Sequence, residues 1–326
     1  MRRRTAFGFL FALGAFAAAG GALAQARVPL IVVLVHATEK ASHPGLEALR
    51  GGLRELGYRE GAGYRMEVRL TDNRIERLPQ LARDLLALKP DLAVAAPVVS
   101  AQAFFRESKT IPIVMAGGAG ALRFGLIASL ARPGGNVTGV TNQGDDLTVK
   151  LFELLQEIAP RAKRVVALSS GLGSVEGDVR RDSRAAAKTY GMTLIEALAE
   201  SPEQLPQLAE RCRHERCEAL VTLLDPNLSN FRSEVIALAA KLRIPAAYYL
   251  REFAEEGGLL SYGADRLQLW RRAATYVDTI LKGTKPGDLP IEQPTKFELV
   301  VNLKTAQALG IKVPQSILLR ADQVIR

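Results

Sequence analysis

The stretch Glu76-Arg77-Leu78-Pro79-Gln80-Leu81-Ala82 returns, with one substitution, as Glu203-Gln204-Leu205-Pro206-Gln207-Leu208-Ala209. Each copy is typical of a helix start, with proline near the beginning and leucines at helical spacing. Each copy also stands between two short apolar runs that read as strands. The repeat therefore predicts a chain built from two similar halves.

The same order of strand, helix, strand, helix and strand surrounds each copy. The other predicted segments are residues 29–35, 46–56, 65–70 and 92–96 in the first half, and residues 164–168, 180–190, 192–197 and 219–224 in the second. Apolar strands that alternate with helices predict parallel sheets covered on both faces. We therefore expect an α/β fold of two Rossmann-like lobes joined by a hinge.

Further segments complete the two lobes. Strands are predicted at residues 111–115, 137–140, 246–249, 259–262 and 296–302, and a helix at residues 268–281. No Gly/Ser linker separates the halves, so we expect the chain to cross between lobes near Thr141, Ser261 and Pro290. The predicted lobes are residues 27–141 plus 263–289, and residues 142–262 plus 290–326.

The composition excludes several classes of protein. The chain has 326 residues, of which 48% are hydrophobic and 24% charged, with two cysteines and three histidines. Such a chain is neither disordered nor a disulfide scaffold, and its length argues for two domains. Two cysteines and three histidines are few residues for a metal site, and we expect no cofactor.

Residues 1–26 have the order of a secretory signal peptide. Arg2, Arg3 and Arg4 precede the apolar residues 7–19, and small residues then provide cleavage sites after Ala24 and Ala26. A membrane anchor is the alternative, but the apolar run is shorter than the ~20 residues of a spanning helix. We therefore expect a periplasmic product. Cleavage lowers the net charge from +9 to +6, and the scattered basic residues argue against a nucleic-acid partner.

Topology predicts the place of a ligand site. Ligands of open parallel sheets bind beyond the carboxyl ends of the strands, and two facing sheets would share one cleft. The loops at these ends are residues 36–44, 97–102, 117–123, 142–146, 169–173, 225–230 and 248–252.

Several stretches resemble the ABC transporter substrate-binding protein family, which includes tryptophan- and tyrosine-type binding proteins. They include GLIASLARPGGNVTGV at residues 125–140, GGLLSYG at residues 257–263 and EQPTKFEL at residues 292–299. The resemblance runs from about residue 31 to residue 324. It implies a type I periplasmic-binding-protein fold that closes on a small molecule, such as an amino acid or an organic or aromatic carboxylate. It also implies delivery to a membrane permease by a protein that we expect to be a monomer.

This chain departs from the family pattern in the strand-end loops. Gly120-Ala121 stands for the usual Asp-Pro, and Val98-Val99 for Thr-Pro. Residues 170–173 replace Asn-Pro-x-Asn, and Tyr249 replaces a common glycine. The resemblance therefore implies a retained scaffold with an altered pocket.

Candidate ligand residues in the first lobe follow its strands. Ser100 is predicted to begin a helix, where it could help to bind a carboxylate or could act only as the N-cap. Gly118 could bring its backbone close to a ligand, and Asn142 could hold the carboxylate together with Ser100. His36 is predicted to be a hydrogen-bonding residue of the cleft, since its spacing from His43 does not suggest a metal site.

Candidates in the second lobe have structural alternatives. Ser170 lies in one strand-end loop, and Asp225 could either accept a ligand amine or hydroxyl or cap its own turn, whereas Asn227 is predicted to contact the ligand. Arg251 could bind a carboxylate bidentately or form a structural pair with Glu252. Tyr249 and Tyr248 should lie on opposite faces, so that at most one enters the cleft.

Other chemistries have weaker signals. Gly171, Gly173 and Gly177 lack the spacing of a dinucleotide fingerprint. Cys212 and Cys217 could form a local disulfide or stay free. No nucleophile motif is present, so we expect a non-enzyme. An exported sensor domain, or less plausibly an enzyme on the same fold, is the alternative.

Overall fold

The computed structural model of the protein describes residues 27–142, 147–171, 176–225 and 227–326. The predicted signal peptide lies outside the described residues, as do residues 143–146, residues 172–175 and Pro226, which belong to three of the predicted strand-end loops.

Twelve strands are found in the described part of the chain. They are β1 (Leu30–Val35), β2 (Arg65–Leu70), β3 (Leu92–Ala96), β4 (Ile113–Ala116), β5 (Val137–Val140), β6 (Arg164–Ser169), β7 (Thr193–Leu198), β8 (Ala219–Thr222), β9 (Ala246–Tyr248), β10 (Leu260–Ala264), β11 (Phe297–Asn302) and β12 (Gln323–Ile325). Every predicted strand is present, and β12 is the one that the sequence did not indicate.

Eleven α-helices connect these strands in the same described residues. They are α1 (Glu39–Glu55), α2 (Leu78–Ala87), α3 (Val98–Glu107), α4 (Leu147–Ile158), α5 (Glu176–Thr189), α6 (Leu205–His214), α7 (Arg232–Leu242), α8 (Arg251–Glu255), α9 (Arg266–Leu281), α10 (Leu303–Ala308) and α11 (Gln315–Arg320). The two copies of the repeat open α2 and α6, each after one turn of 3-10 helix, as predicted. No helix of the described residues is both long and apolar enough to span a membrane.

The strands form two separate sheets. The smaller sheet has the order β2-β1-β3-β4-β5 and is wholly parallel. The larger sheet has the order β12-β11-β10-β9-β8-β6-β7. The prediction of parallel sheets holds for both with one exception, because β11 runs antiparallel to β10.

Strand β1 shows why these sheets are buried on both faces. Ile31, Val33 and Val35 pack into one hydrophobic cluster of the smaller lobe, and the alternating residues Leu30 and Leu34 pack into the other. A strand with apolar side chains on both faces requires helices on both faces. One large cluster forms the core around the other sheet.

Helix α9 joins the two sheets. It follows β10 of the larger sheet, yet it packs against α1 and against β4 and β5 of the smaller sheet. The approach to α1 is close, because a Cβ atom at Gly52 would lie 2.8 Å from the Cβ of Ala274. A Cβ at Gly45 would lie 2.6 Å from the indole of Trp270. These two glycines let α9 lie against α1 and fix the start of α9 beside the strand ends.

Candidate functional site

A cavity lies where the carboxyl ends of the two sheets face each other. The empty space between its protein atoms, including the mouth open to solvent, is about 680 Å³. Its lining residues are Val35, His36, Ala37, Ser42, Ala96, Pro97, Ala116, Gly117, Gly118, Asn142, Ser229, Asn230, Tyr249, Leu250, Arg266, Leu269 and Trp270. Among the residues that the structure describes, every predicted strand-end loop except that at residues 169–173 contributes to this lining.

Gly118 and Asn142 hold the loops after β4 and β5 together. The backbone N–H of Gly118 donates to Oδ1 of Asn142 at 3.2 Å, and Oγ1 of Thr141 donates to the Gly118 carbonyl oxygen at 2.6 Å. Gly118 has a φ of 112°, and a Cβ there would lie 2.4 Å from the backbone nitrogen of Val98. Only glycine fits this position. Because Oδ1 of Asn142 is engaged, the amide nitrogen is the group that this side chain can offer to a ligand.

His36 is a buried, neutral member of the lining. Its side chain is 5% exposed, and its Nδ1 lies 2.7 Å from Oγ1 of Thr71. Burial lowers the pKa of His36 below its ordinary value, and the nearby charge of Glu76 opposes this only in part. The ring is therefore uncharged at neutral pH, and Nε2 is the nitrogen left for the cavity.

The two tyrosines at the end of β9 lie on opposite sides of the sheet, as strand alternation predicts. Tyr249 lines the cavity, whereas Tyr248 lines a second groove beside α7. The Tyr249 hydroxyl donates to the carbonyl oxygen of Asp225 at 2.5 Å. Burial, together with the negative charge of Asp225, raises the pKa of Tyr249, so the phenol stays protonated.

Ser170, Asp225 and Asn227 form a buried network behind Tyr249 and are not part of the lining. One carboxylate oxygen of Asp225 accepts from the backbone N–H of Ser170 at 2.5 Å and from its hydroxyl at 2.7 Å. The other accepts from the backbone N–H of Asn227 at 2.9 Å. The Asn227 amide donates to the carbonyl oxygen of Glu200 at 2.9 Å. This network joins the ends of β6, β7 and β8; a direct contact of these residues with a ligand stays a prediction.

The prediction that Ser100 begins a helix is wrong by two residues. Helix α3 starts at Val98 after Pro97, which takes the N-cap position because it has no N–H to satisfy. Ser100 lies inside the first turn, is fully buried, and donates its hydroxyl to the carbonyl oxygen of Ala96 at 3.0 Å. Its side chain is not part of the cavity lining.

Arg251 also lies outside the lining, because long-range partners hold its guanidinium. It donates to Glu298 at 2.6 Å and to Gln323 at 2.7 Å, on β11 and β12, and to Glu255 at 3.0 Å. The residue begins α8, where the sequence predicted a loop. Arg251 thus ties α8 to the edge of the larger sheet, and any contact with a ligand stays a prediction.

The sequence reasoning missed several lining residues. Arg266, Leu269 and Trp270 come from the first turns of α9, which the sequence placed in the first lobe without assigning it to the site. Asn230 ends the predicted strand-end loop at residues 225–230 but was not named as a ligand residue, and its amide nitrogen is buried without a hydrogen-bond partner among the described residues. The sequence did contain an indication that α9 belongs to the site. The predicted strand at residues 259–262 ends, and the predicted helix at residues 268–281 begins, beside the predicted crossing between the lobes near Ser261.

Comparisons with known proteins agree with this geometry. Residues 28–325 match the family described as ABC transporter substrate binding protein. A tyrosine-binding protein of Clostridioides difficile strain R20291 is 25% identical over 281 residues, which cover 84% of this chain and 80% of that protein.

Two solved structures are similar over most of the chain. The ABC domain from Streptococcus pneumonia in complex with L-Trp has a TM-score of 0.85 and 25% identity, covering 91% of this chain and all of the other. A conserved domain protein from Vibrio cholerae has a TM-score of 0.86 and 26% identity, with the same coverage. The chain therefore belongs to the ABC transporter substrate-binding protein family, with the fold of type I periplasmic binding proteins.

Proposed function

We propose that this chain is an exported solute-binding protein that closes on one small molecule and delivers it to an ABC transporter permease. The observation that carries the proposal is the cavity, to which both sheets contribute lining residues, with His36 and Gly118 from one and Asn230 and Tyr249 from the other. A ligand that contacts both lobes stabilises their closed arrangement, which is the general basis of hinge closure.

The lobes of this proposal are residues 27–141 plus 263–289, and residues 142–262 plus 290–326. The sheet memberships of β10, β11 and β12, and the packing of α9 on the smaller sheet, support these bounds. We propose that the protein acts as a monomer without nucleic acid or cofactor.

The proposed ligand class is an amino acid or an organic or aromatic carboxylate. The apolar part of the lining, with Leu269 and Trp270, suits an apolar body, and the polar groups suit a hydrogen-bonding head. Of the two similar proteins, one is named as tyrosine-binding and the other was solved in complex with L-Trp, and both names support an aromatic ligand. Within the site we propose His36, Gly118, Asn142 and Tyr249 as direct contacts.

Binding is tested by titration with L-tyrosine, L-tryptophan and phenylpropionate in a calorimeter. The fluorescence of Trp270, the single tryptophan of the chain, gives a second readout for the ligands that do not fluoresce themselves. We expect saturable binding at one site, a smaller radius of gyration in solution scattering, and recovery of the ligand unchanged. Absence of binding by every such compound contradicts the proposal, and chemical conversion favours the enzyme alternative.

Export is a separate part of the proposal. Residues 1–26 are proposed to be removed after Ala24 or Ala26, and N-terminal sequencing of the periplasmic fraction tests this. A membrane-bound product that retains Met1 contradicts it. Genes for a permease and an ATPase beside the gene of this protein would favour transport over a role in sensing.

A further inference from the structure

Arg266 is a charged side chain of the cavity lining whose hydrogen-bonding groups are largely unused. It is the first residue of α9 and is preceded by the N-cap Asp265, which accepts from the backbone N–H groups of Leu267 and Gln268. The side chain is 30% exposed, and its Nε lies 3.7 Å from Oε1 of Glu252, which is longer than a hydrogen bond. Among the described residues, its two terminal nitrogens have no partner.

The charge of Arg266 dominates the cavity. Among the lining residues that the structure describes, no other carries a formal charge, since burial keeps His36 neutral. Glu252 is not among the lining residues, and its second carboxylate oxygen is buried without a partner in the described part of the chain. The described part of the cavity therefore presents positive charge to a ligand, with the Glu252 carboxylate near the Nε of Arg266 and the two terminal nitrogens left for the ligand.

A second unused donor lies in the same cavity. The amide nitrogen of Asn230 is buried and unpartnered, and such a group costs free energy unless a partner satisfies it. An arginine fork and an amide N–H together suit a group that only accepts hydrogen bonds, and a carboxylate is such a group.

We propose that Arg266 binds the carboxylate of the ligand through its terminal nitrogens, with Asn230 as an additional donor. The rest of the ligand then extends along Leu269 and Trp270 on the same helix. The inference rests on the proposed function and gives that site its charged anchor. It replaces the earlier candidates Ser100 and Arg251, whose polar groups the protein itself engages.

The test compares an acid with its amide, because the two differ in charge and hardly in shape. The probes are L-tyrosine with L-tyrosinamide, and phenylpropionate with phenylpropionamide. Calorimetry measures each dissociation constant for the wild type and for Arg266→Gln, Arg266→Lys and Arg271→Gln. Arg271 is the matched control, since it lies on the same helix but pairs with Glu55 outside the cavity.

We expect the wild type to bind the acids more tightly than the amides by about tenfold to a hundredfold, the range for a charge-assisted hydrogen bond. Arg266→Gln should weaken acid binding by about the same factor and leave amide binding nearly unchanged, so that the preference disappears. Arg266→Lys keeps the positive charge but lacks the two parallel N–H donors of arginine. Its preference for acids should therefore lie between those of the wild type and Arg266→Gln. Arg271→Gln should match the wild type.

The outcomes separate this inference from the proposed function. If the wild type and Arg266→Gln bind with the same preference for acids, or if the wild type prefers amides, Arg266 is not the anchor although the chain is still a binding protein. If the wild type binds neither acids nor amides, the proposed function fails as well. Circular dichroism shows whether each variant is folded. If Arg266→Gln does not fold, the acid preference of Arg266→Lys decides whether Arg266 binds the carboxylate.

Discussion

Replacing Asp225 with asparagine would decide whether this residue supports the fold or contacts the ligand. Its carboxylate is 3% exposed and accepts at least three hydrogen bonds, two from Ser170 and one from the backbone N–H of Asn227. An asparagine keeps one acceptor oxygen and places an NH₂ group where the other was. Either orientation therefore sets a donor against at least one buried N–H.

The expected cost follows from these contacts. A hydrogen bond to a charged group contributes about 1.5–3 kcal/mol, and a buried donor left without an acceptor costs about 1–3 kcal/mol. The loss of one or two such bonds predicts a decrease of about 2–4 kcal/mol in the free energy of unfolding. At about 2 °C per kcal/mol, the melting temperature should fall by about 4–8 °C.

The assay is urea unfolding of the ligand-free protein, followed by far-ultraviolet circular dichroism. Asp84→Asn is the control, because Asp84 is exposed and, among the described residues, accepts only from the side chain of Gln80. Its free energy of unfolding should change by less than about 0.5 kcal/mol. If Asp225→Asn unfolds like the wild type but binds the carboxylate probes at least about tenfold more weakly, Asp225 is a ligand residue and the structural reasoning is refuted.

Three further predictions concern the cavity and the cysteines. Gly118→Ala should lose at least about 2 kcal/mol of the free energy of unfolding, because its φ of 112° and the close backbone nitrogen exclude a Cβ; an unchanged urea midpoint would contradict this. The pKa of His36 is lower in the folded than in the unfolded chain, so protonation of the unfolded chain should reduce stability as the pH falls below about 6.5. The stability advantage of the wild type over His36→Asn should therefore shrink between about pH 7.5 and pH 5.5, and an advantage that stays constant over this range would contradict the prediction. In the reduced protein, iodoacetamide should modify the half-buried Cys217 before the buried Cys212, because the Cys212 thiol donates to Cys217 and lowers its pKa; equal rates in a mass-spectrometric time course would refute this order.

The strands were the most predictable part of the fold. A buried parallel strand is a short apolar run between turns, and β3 and β5 occupy the predicted residues 92–96 and 137–140. Helix starts were less predictable. The first loop was predicted to extend to residue 44, yet α1 begins at Glu39 and contains Pro44. Helix α8 is only five residues long, too short for a periodic pattern to reveal it.

The place of the site was predictable from the sequence, but its charged residue was not. The carboxyl ends of parallel strands share one edge of a sheet, so strand order alone located the loops. Which of Arg251 and Arg266 lines the cavity depends on contacts with residues that are remote in sequence. Glu298 and Gln323 hold Arg251 at the edge of the larger sheet, and only the return of α9 to the smaller sheet brings Arg266 to the cavity.

The division between a retained scaffold and an altered pocket has a physical basis in this chain. Residues within the strands are packed on both sides, so a change there costs core contacts. Residues such as His36, Gly118 and Asn142, just beyond the strands, line the cavity, where a change alters the ligand contacts and leaves the strand core intact. Of the departures from the family pattern that the resemblance implies, Tyr249 lines the cavity and keeps a hydrogen bond to the Asp225 backbone, whereas Gly120 and Ser170 lie in strand-end loops outside the lining. The identity of the ligand is therefore to be sought in the groups that line the cavity, above all the positive charge of Arg266, more than in the ligands of proteins that share the scaffold.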